Sequence, residues 1–391
     1  TNEIWLIIAV SLLLLLRYSG RLFSKRFNVS YLLFLVLLSL YVVGGLRVIS
    51  LDQWLYAGAL LFLPLLLYLS IPRFSAQEIH FLIRLFIIIS LIYAILAIIL
   101  SLNYAYFMTL VGNPVDNYRY YSQYRAPMML GSSIVVSNYF VISIPFSMYL
   151  FYKEKNKFWK TISILAVIIC FMAILVLNSR LAFVGACVAV AFCLFFLRKQ
   201  SRRYIKQSVI LAIFLAVGIL IVFNNFDVSR LSLLTDWSGE SALARRESVR
   251  LGLEIFNHFP LLGSGMGAYF TRAYTYRFVS FQNITGLVDP HNLYVLILSE
   301  MGLIGFCIII LFVAIALISL RKIPDLSLRR TAYVQIIAMI ILSFGGSHLL
   351  IQISFSSIFW IYMAMYKGTV SSNLQGNPVL KGNVKDYEKS C

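Results

Sequence analysis

The chain has 391 residues, of which 61% are hydrophobic and only 12% are charged, and its mean hydropathy is +0.87. Soluble globular domains carry about 25% charged residues, so this composition excludes that class and indicates a polytopic helical membrane protein. The net charge of +18 does not indicate a nucleic-acid partner, because the basic residues are scattered in short clusters between apolar runs.

The apolar runs, taken in chain order, predict roughly ten to twelve transmembrane helices, with eleven as the direct count. A bilayer about 30 Å thick needs about 20 apolar residues per helical span, and helices satisfy their own backbone groups in lipid. The first run is short, which leaves the count open at its lower end. The runs cover residues 4–16, 31–46, 54–71, 81–100, 132–152, 158–177, 181–197, 208–223, 293–320, 331–344 and 349–366.

The distribution of basic residues predicts which connections lie in the cytoplasm. With residues 17–26 inside, the clusters at 153–157, 198–206 and 321–330 and the tail at 367–391 also fall inside. All lysines then lie inside, whereas the outer basic residues are all arginines, whose planar guanidinium suits phosphate or carboxylate. Topology explains the lysines, but it does not explain why so many arginines stay outside. These are Arg47, Arg119, Arg125, Arg180, Arg230, Arg245, Arg246, Arg250, Arg272 and Arg277.

The same topology divides the chain into four parts. Residues 1–223 form the N-terminal transmembrane helices, with a tyrosine-rich outer loop at 103–131 that contains Arg119 and Arg125. Residues 224–290 form a large outer loop, 291–366 the C-terminal transmembrane helices, and 367–391 a polar tail that is expected to be disordered. The loop tyrosines suit both the membrane interface and the faces of sugar rings, and both interpretations stay open.

Neither a metal centre nor a disulfide framework is expected. The five cysteines lie in apolar runs or at the C-terminus, without a CxxC motif. The outer carboxylates include no Asp-x-Asp pair, so a divalent cation holding a diphosphate has little to bind it. The first apolar run also lacks the basic lead-in and the small-residue cleavage site of a signal peptide.

His291 is the first candidate for chemistry. It follows Asp289-Pro290 and opens an apolar run at the outer membrane boundary. Proline disfavours helix at the residue before it, so a helix beginning just beyond is expected. A base placed there can meet a solute, although a capping or interfacial histidine is the alternative. His348, at another outer boundary, is a weaker candidate.

Arg180 lies in a tight outer connection between two apolar runs. A guanidinium at a membrane boundary is costly unless it faces a cavity or a partner, which makes it a functional candidate. The alternative is an arginine that extends its charged head to the interface.

Arg245 and Arg246 precede a segment in which Val249, Leu253 and Phe256 recur at helical spacing. This pattern predicts an amphipathic helix along the outer surface, with both arginines at its N-terminal end. Arginines at a helix N-terminus form an anion site, and a solvated charged face is the alternative.

A glycine-rich turn at 263–267 follows Pro260. It is not a dinucleotide-binding motif, since position 268 is alanine and no strand precedes it. We expect Gly263 and Gly265 to allow a sharp turn or a close approach to a ligand.

In combination, these residues resemble the O-antigen ligase and O-antigen polymerase superfamily. Nine residues separate His291-Asn292 from Gly302, and two more separate Gly302 from Gly305, as in the histidine-asparagine motif of that family. The residues that carry the resemblance are Ser179-Arg180, Arg245, Pro260, Gly263, Gly265, His291-Asn292, Glu300, Gly302 and Gly305.

The resemblance implies an all-α, GT-C-like membrane glycosyltransferase of the bacterial inner membrane, with a large periplasmic loop and a periplasmic active site. Such enzymes are inverting, metal-independent and without a cofactor, and their donor is an undecaprenyl-diphosphate-linked oligosaccharide. The interpretation we favour is a polymerase of surface polysaccharide. The alternative is a ligase that transfers the glycan to lipid A-core. A chain-length regulator and a flippase of the same pathway are the implied partners.

The resemblance also assigns roles by position. Arg180 and Arg245 would hold the lipid diphosphate, with Arg246 as the alternative to Arg245, and His291 would activate or orient the acceptor hydroxyl. Glu300 is expected to organise the histidine or the outer loop. The remaining implied substrate-binding residues are Asn292, Arg119, Arg125, Gly263 and Gly265.

A transporter of an anionic solute is the alternative from another class. Transporters more usually show internal repeats and helices interrupted at mid-membrane. Here the charged candidates gather at one face.

Overall fold

The computed structural model describes residues 29–48, 50–71, 74–102, 133–177, 179–198, 240–276, 290–347, 349 and 353–366. All the regular secondary structure in these residues is helical, which confirms the all-α prediction for this part of the chain. The helices are α1 Val29–Gly45, α2 Leu51–Ser70, α3 Ala76–Leu102, α4 Ser133–Lys153, α5 Lys157–Val176, α6 Arg180–Arg198, α7 Glu240–His258, α8 Tyr269–Tyr276, α9 Leu293–Leu320, α10 Leu326–Leu342 and α11 Ile353–Met365.

Five of the described helices are long and apolar enough to cross a membrane, namely α2, α3, α4, α5 and α9. This agrees with a polytopic membrane protein. The predicted spans at 4–16 and 208–223 lie outside the described residues. The total of about eleven spans and the four-part division of the chain therefore stay predictions.

Helix α4 is the centre of the bundle. It packs against α3, α5, α6 and α10, and nearly all of its side chains are buried. Two of its buried serines, Ser137 and Ser143, donate to the carbonyls of Ser133 and Tyr139 one turn earlier, at 2.8 Å each. These two hydroxyl groups are therefore buried without losing a hydrogen bond.

The bundle has two ends, each marked by contacts between helix termini. At one, Lys153 Nζ lies 3.0 Å from Asp325 Oδ2, and Arg330 Nη1 donates to Phe196 O at 2.6 Å. These contacts join the ends of α4 and α6 to the start of α10, and we call this the Lys153 end. At the opposite end Leu293 N donates to Ser343 O at 2.9 Å, which joins the start of α9 to the end of α10. We call this the His291 end.

The lysines of the described residues all follow the topology expected from the sequence. Lys153, Lys155, Lys157, Lys160 and Lys322 belong to the connections and helix termini at the Lys153 end. The segments that carry Arg47, Arg180, Arg245 and Arg272 lie at the His291 end. Within the described residues the lysines are therefore confined to the Lys153 end, whereas arginines occur at both ends.

Helix α9 is interrupted at Gly302, whose φ and ψ are 65° and −169°. The sequence predicted the extent of this helix but not the interruption. The loop between α7 and α8 supplies the hydrogen bonds that the helix loses there. Ser264 N and Gly265 N donate to the carbonyls of Ser299 and Glu300, at 2.9 Å each.

The same loop also accepts hydrogen bonds from the other side of the interruption. Leu303 N donates to Pro260 O at 2.8 Å and Ile304 N donates to Leu261 O at 3.1 Å. Within a membrane, non-helical backbone is tolerated only where its N–H and C=O groups form hydrogen bonds inside the protein. The loop between α7 and α8 provides these hydrogen bonds, so the interruption in α9 depends on it.

Two predictions about α7 were wrong. The helix begins at Glu240, so Arg245 and Arg246 lie beyond its first turn and are not beside its free N–H groups. The strong helix formers Ala242, Leu243 and Ala244 account for the earlier start.

The buried face of α7 also differs from the predicted one. Ser248, Leu251 and Ile255 are buried, whereas Leu253 is 42% exposed. The reason is tertiary: Gly252 has no side chain, so Val295 of α9 can approach the α7 backbone.

Candidate active site

The start of α9 fixes the position of His291. Asn292 caps the helix, since its Oδ1 accepts hydrogen bonds from Tyr294 N at 3.0 Å and Val295 N at 3.1 Å. His291 lies just outside the cap, half-buried, with a φ of 48°. Positive φ is uncommon for a residue other than glycine and tends to occur at functional sites. The capping role that the sequence left open for His291 thus belongs to Asn292.

A turn at residues 343–347, after α10, holds the α9 start in place. Asn292 Nδ2 donates to Phe344 O at 3.3 Å. Tyr294 OH donates to Ile340 O at 2.9 Å, and its ring lies 4.7 Å from that of Phe344. The histidine is therefore carried by a fixed helix terminus.

Arg180 approaches the same turn from α6. It is the first residue of α6 and is half-buried. The next residue, Leu181, lies against Gly345, where an added Cβ would come within 2.6 Å of Leu181 Cδ2. The helix starts that carry Arg180 and His291 therefore both border the 343–347 turn.

The hydrogen bonds and packing of α7 bring Arg245 toward the same end. Gly252 lies against Val295, and the loop after α7 reaches Gly302, so α7 runs alongside the first part of α9 in the same direction. Arg245 precedes Gly252 by seven residues, which is roughly 10 Å along the helix. It therefore lies toward, or beyond, the level at which α9 begins.

The orientation of α7 distinguishes Arg245 from Arg246. At about 100° per residue, Arg245 lies roughly 90° from the middle of the buried face formed by Ser248, Leu251 and Ile255, whereas Arg246 lies roughly 170° away. Both side chains are exposed. Arg245 therefore borders the face that packs on α9, and Arg246 points away from it.

The glycines of the 263–267 turn lie against protein backbone. A Cβ on Gly263 would overlap the backbone of Glu300 and Met301, and one on Gly265 would lie 2.7 Å from Gly44 O. Of the two functions expected for these glycines, a sharp turn or a close approach to a ligand, the structure shows the first.

Glu300 is buried and connects α9 to α8. Its Oε1 accepts a hydrogen bond from Tyr269 N at 3.1 Å, and Tyr269 OH donates to Ser248 O of α7 at 2.7 Å. Of the two contacts expected for Glu300, the histidine or the outer loop, this one is with the outer loop.

Sequence reasoning missed two arginines that support the loop. Arg47 Nη1 donates to Gly263 O at 3.2 Å, and Arg272 Nη2 donates to Arg47 O at 3.1 Å. Arg272 also lies 5.1 Å above the ring of Phe259. Both residues belong to the outer arginines of the sequence, but nothing in the local pattern pairs them with this loop.

An apolar cavity of about 340 Å³ begins beside the α9 start. It includes Leu293, Tyr294 and Ser343 near the His291 end and continues to Phe312 and Trp360 inside the bundle. It therefore connects the neighbourhood of His291 with the interior of the membrane domain.

Several predicted residues are not tested by this geometry. Arg119, Arg125 and His348 lie outside the described residues. Among the residues that are described, no three histidine, cysteine, aspartate or glutamate side chains are close enough together to hold a metal ion.

Comparison with known proteins adds one family. Residues 165–310 match the family model described as O-antigen ligase. The matched segment contains Arg180, Arg245, His291 and the interrupted first part of α9. This match supports membership of the O-antigen ligase and polymerase superfamily, as the sequence motif predicted. No curated protein matches the chain significantly.

Proposed function

We propose that this protein is a glycosyltransferase of the bacterial inner membrane that joins undecaprenyl-diphosphate-linked repeat units into a surface polysaccharide at the periplasmic face. The O-antigen ligase domain supports glycosyltransferase activity. The observation that carries the proposal further is the convergence of two helix starts, with Arg180 on one and His291 beside the other, on the 343–347 turn.

The reaction is a displacement at the anomeric carbon of the donor glycan. The acceptor hydroxyl oxygen attacks this carbon, the bond from carbon to diphosphate oxygen breaks, and the anomeric configuration inverts. The hydroxyl proton passes to the His291 imidazole, because histidine is the side chain that most often serves as a general base. The leaving diphosphate takes the bonding electron pair and gains negative charge.

Arg180 and Arg245 stabilise that charge. Guanidinium groups form bidentate, charge-assisted hydrogen bonds to phosphate, and fixed donors are most effective where charge develops in the transition state. Arg245 is proposed over Arg246 because it borders the face of α7 that packs on α9. Arg119 and Arg125 remain proposed contributors to glycan binding.

The apolar cavity supports a lipid-linked donor. Its wall is almost wholly hydrocarbon and aromatic, from Leu61 and Leu65 on α2 to Phe312 on α9 and Trp360 on α11. A polyprenyl chain in this cavity would place its diphosphate beside Tyr294 and hence near His291. A water-soluble donor would gain nothing from this cavity.

A ligase that transfers the glycan to lipid A-core is the second candidate, because the matched family is described as O-antigen ligase. The preference for a polymerase rests on the tyrosine-rich loop at 103–131 and the glycine-rich turn. Both candidates use the same donor and the same arginines.

The interruption in α9 does not favour a transporter. In transporters, the freed backbone groups of broken helices bind the substrate. Here the carbonyls of Ser299 and Glu300 and the N–H groups of Leu303 and Ile304 bond to the protein's own loop. They are therefore not available to a solute.

The deciding experiment supplies the purified protein with a lipid-linked repeat unit as its only substrate. Chain growth, seen as a ladder of products by electrophoresis or mass spectrometry, supports the polymerase. Transfer that requires added lipid A-core supports the ligase instead. No glycan transfer with either acceptor, combined with uptake of an anionic solute into proteoliposomes, would contradict the proposal.

His291→Ala tests the proposed base. We expect transfer to fall about 10²-fold or more, as for loss of a general base, while folding is retained because Asn292 caps the helix. A variant that folds and keeps full activity would remove His291 from the mechanism.

A further inference from the structure

A second cavity lies at the Lys153 end, between the end of α6 and the start of α10. Its volume is about 510 Å³, within the usual range for ligand sites. It lies at the opposite end of the bundle from His291, so it is separate from the candidate active site. The lining residues are Phe195, Phe196, Arg321, Leu326, Arg329, Arg330 and Tyr333.

Three arginines give this cavity a positive charge. Arg329 Nη1 donates to Arg321 O at 3.3 Å, and Arg330 Nη1 donates to Phe196 O at 2.6 Å, so two of the side chains are held by backbone carbonyls. None of the described residues that line it is a carboxylate. The cavity therefore suits an anion.

The neighbouring carboxylate does not neutralise these arginines. Asp325 caps α10 through Ser327 N at 2.9 Å and forms its ion pair with Lys153 at 3.0 Å. Within the described part of the chain, none of the ion pairs involves Arg321, Arg329 or Arg330.

The rest of the cavity wall is apolar and open to the surroundings. Phe195 is 64% exposed and Leu326 is 40% exposed. Phe196 and Tyr333 add aromatic surface. A free inorganic anion would use only the arginines, whereas an amphiphile with an anionic head and hydrocarbon chains would use both parts of the wall.

The position of the cavity favours a membrane lipid as that amphiphile. It lies at the termini of bundle helices, at the end that carries the described lysines, which the positive-inside rule assigns to the cytoplasm. The cytoplasmic leaflet is rich in anionic lipids, and basic pockets between helices on this side bind their headgroups.

We propose that this cavity binds an anionic membrane phospholipid. Arg321 and Arg329 bind its phosphodiester, Arg330 supports them from the α6 terminus, and the acyl chains lie along Phe195 and Leu326. The site is independent of the proposed glycosyltransferase activity.

The test measures lipid retention by the purified full-length protein after delipidation in neutral detergent. Phosphatidylglycerol is the probe, with phosphatidylcholine and inorganic phosphate as comparisons, and native mass spectrometry and thermal unfolding are the readouts. We expect phosphatidylglycerol to be retained and to raise Tm, whereas phosphatidylcholine and phosphate do neither.

Arg321→Gln and Arg329→Gln should each weaken phosphatidylglycerol binding about fivefold, the value expected for one arginine at a membrane surface. Lys322→Gln is the matched control, because Lys322 is exposed in the same turn but does not line the cavity. Phosphatidylglycerol binding by the Lys322→Gln variant should stay within about twofold of that by the wild type.

Three results would overturn the proposal. The first is equal retention of phosphatidylcholine and phosphatidylglycerol, and the second is an equal loss of binding in all three variants. The third is stabilisation by inorganic phosphate as large as that by the lipid, which would identify a simple anion site.

Discussion

Gly263 and Gly302 face each other across the interruption in α9, and both have positive φ, 70° and 65°. A Cβ on Gly302 would overlap Leu261 O and the Gly263 nitrogen, and a Cβ on Gly263 would overlap the backbone of Glu300 and Met301. The insertion of the loop into α9 depends on the absence of a side chain at both positions.

Replacing Gly302 should therefore destabilise the His291 end. Gly302→Ala forces a left-handed conformation on alanine and adds a backbone clash, and we expect a loss of about 2 kcal/mol or more. Thermal unfolding in detergent, followed by the monodisperse fraction after heating, measures the effect.

Gly44→Ala is the matched control for this prediction. A Cβ there would meet Gly265 Cα at 3.5 Å, an ordinary contact. We expect this variant to stay within about 0.5 kcal/mol of the wild type. Equal stability of Gly302→Ala and Gly44→Ala would mean that α9 can close its interruption without the loop.

The adjacent arginines of α7 provide a matched pair. Arg245→Ala should lower glycan transfer about 10²-fold, as expected for loss of a group that stabilises developing charge. Arg246→Ala should lower it less than about threefold, because Arg246 points away from α9. The measurement is the initial rate of product formation with a lipid-linked donor.

The pair also contains its own control, since both variants remove one exposed positive charge from the same helix turn. The assignment of Arg245 fails if Arg246→Ala is the more damaging variant. Equal losses would indicate a general electrostatic effect, and raising the ionic strength would then weaken transfer by the wild type to the same extent.

Asn292 has two hydrogen-bonding functions that substitutions can separate. Asn292→Asp keeps an oxygen for Tyr294 N and Val295 N but cannot donate to Phe344 O, whereas Asn292→Ala loses both functions. We expect the alanine variant to lose about 1 kcal/mol more stability than the aspartate variant. Amide hydrogen exchange at the start of α9 measures the cap directly.

Two other outcomes with the Asn292 variants would show which contact holds His291 in position. If both variants lose the same stability, the contact with Phe344 outweighs the cap in holding His291. If neither affects exchange at Tyr294 and Val295, the cap described above is wrong.

Glu154 should make the Lys153 end sensitive to acid. Burial alone would raise its pKa, but the hydrogen bond from Arg84 Nη2 at 2.6 Å, the N–H groups of Asn156 and Lys155 and the charge of Arg84 hold the pKa below its ordinary value of 4.5. The side chain is only 11% exposed, and His80 lies 3.9 Å away.

A carboxylate with a depressed pKa stabilises the fold above its unfolded-state pKa and loses this contribution as pH falls through the folded-state pKa. We therefore expect Tm to fall below about pH 4.5. Glu154→Gln should have a lower Tm than the wild type at pH 7, and the difference should shrink as the pH approaches 3.

Asp325 must be considered in the same titration, because its pKa is also lowered, despite burial, by Lys153 and by two backbone N–H groups. Glu154→Gln should therefore retain part of the acid sensitivity. A constant difference in Tm between the wild type and Glu154→Gln from pH 7 to pH 3 would contradict the role of Glu154.

Part of the site could be predicted from the sequence, because it depends on local pattern. The position of His291 at a helix start followed from Asp289-Pro290 and the apolar run beyond it. The proximity of the segments that carry Arg180 and His291 was expected only from the family motif, because contacts with the 343–347 turn produce no local pattern in the sequence. The predicted buried face of α7 was wrong for the same reason, because it is set by the packing of Val295 against Gly252, and these two residues are distant in the sequence.

The sequence by itself determined that this is a helical membrane protein, which end of it carries lysines, and which residues are available for chemistry. The length of each apolar run decides whether it can span the bilayer, and the positions of the basic residues decide its orientation. Only the tertiary structure decided that α9 is interrupted at Gly302, that the loop between α7 and α8 completes its hydrogen bonds, and that Arg245 lies nearer than Arg246 to the face of α7 that packs on α9. Backbone N–H and C=O groups freed by a helix interruption must form hydrogen bonds elsewhere in the fold. The segment that provides these bonds is distant in the sequence, so no local pattern predicts it.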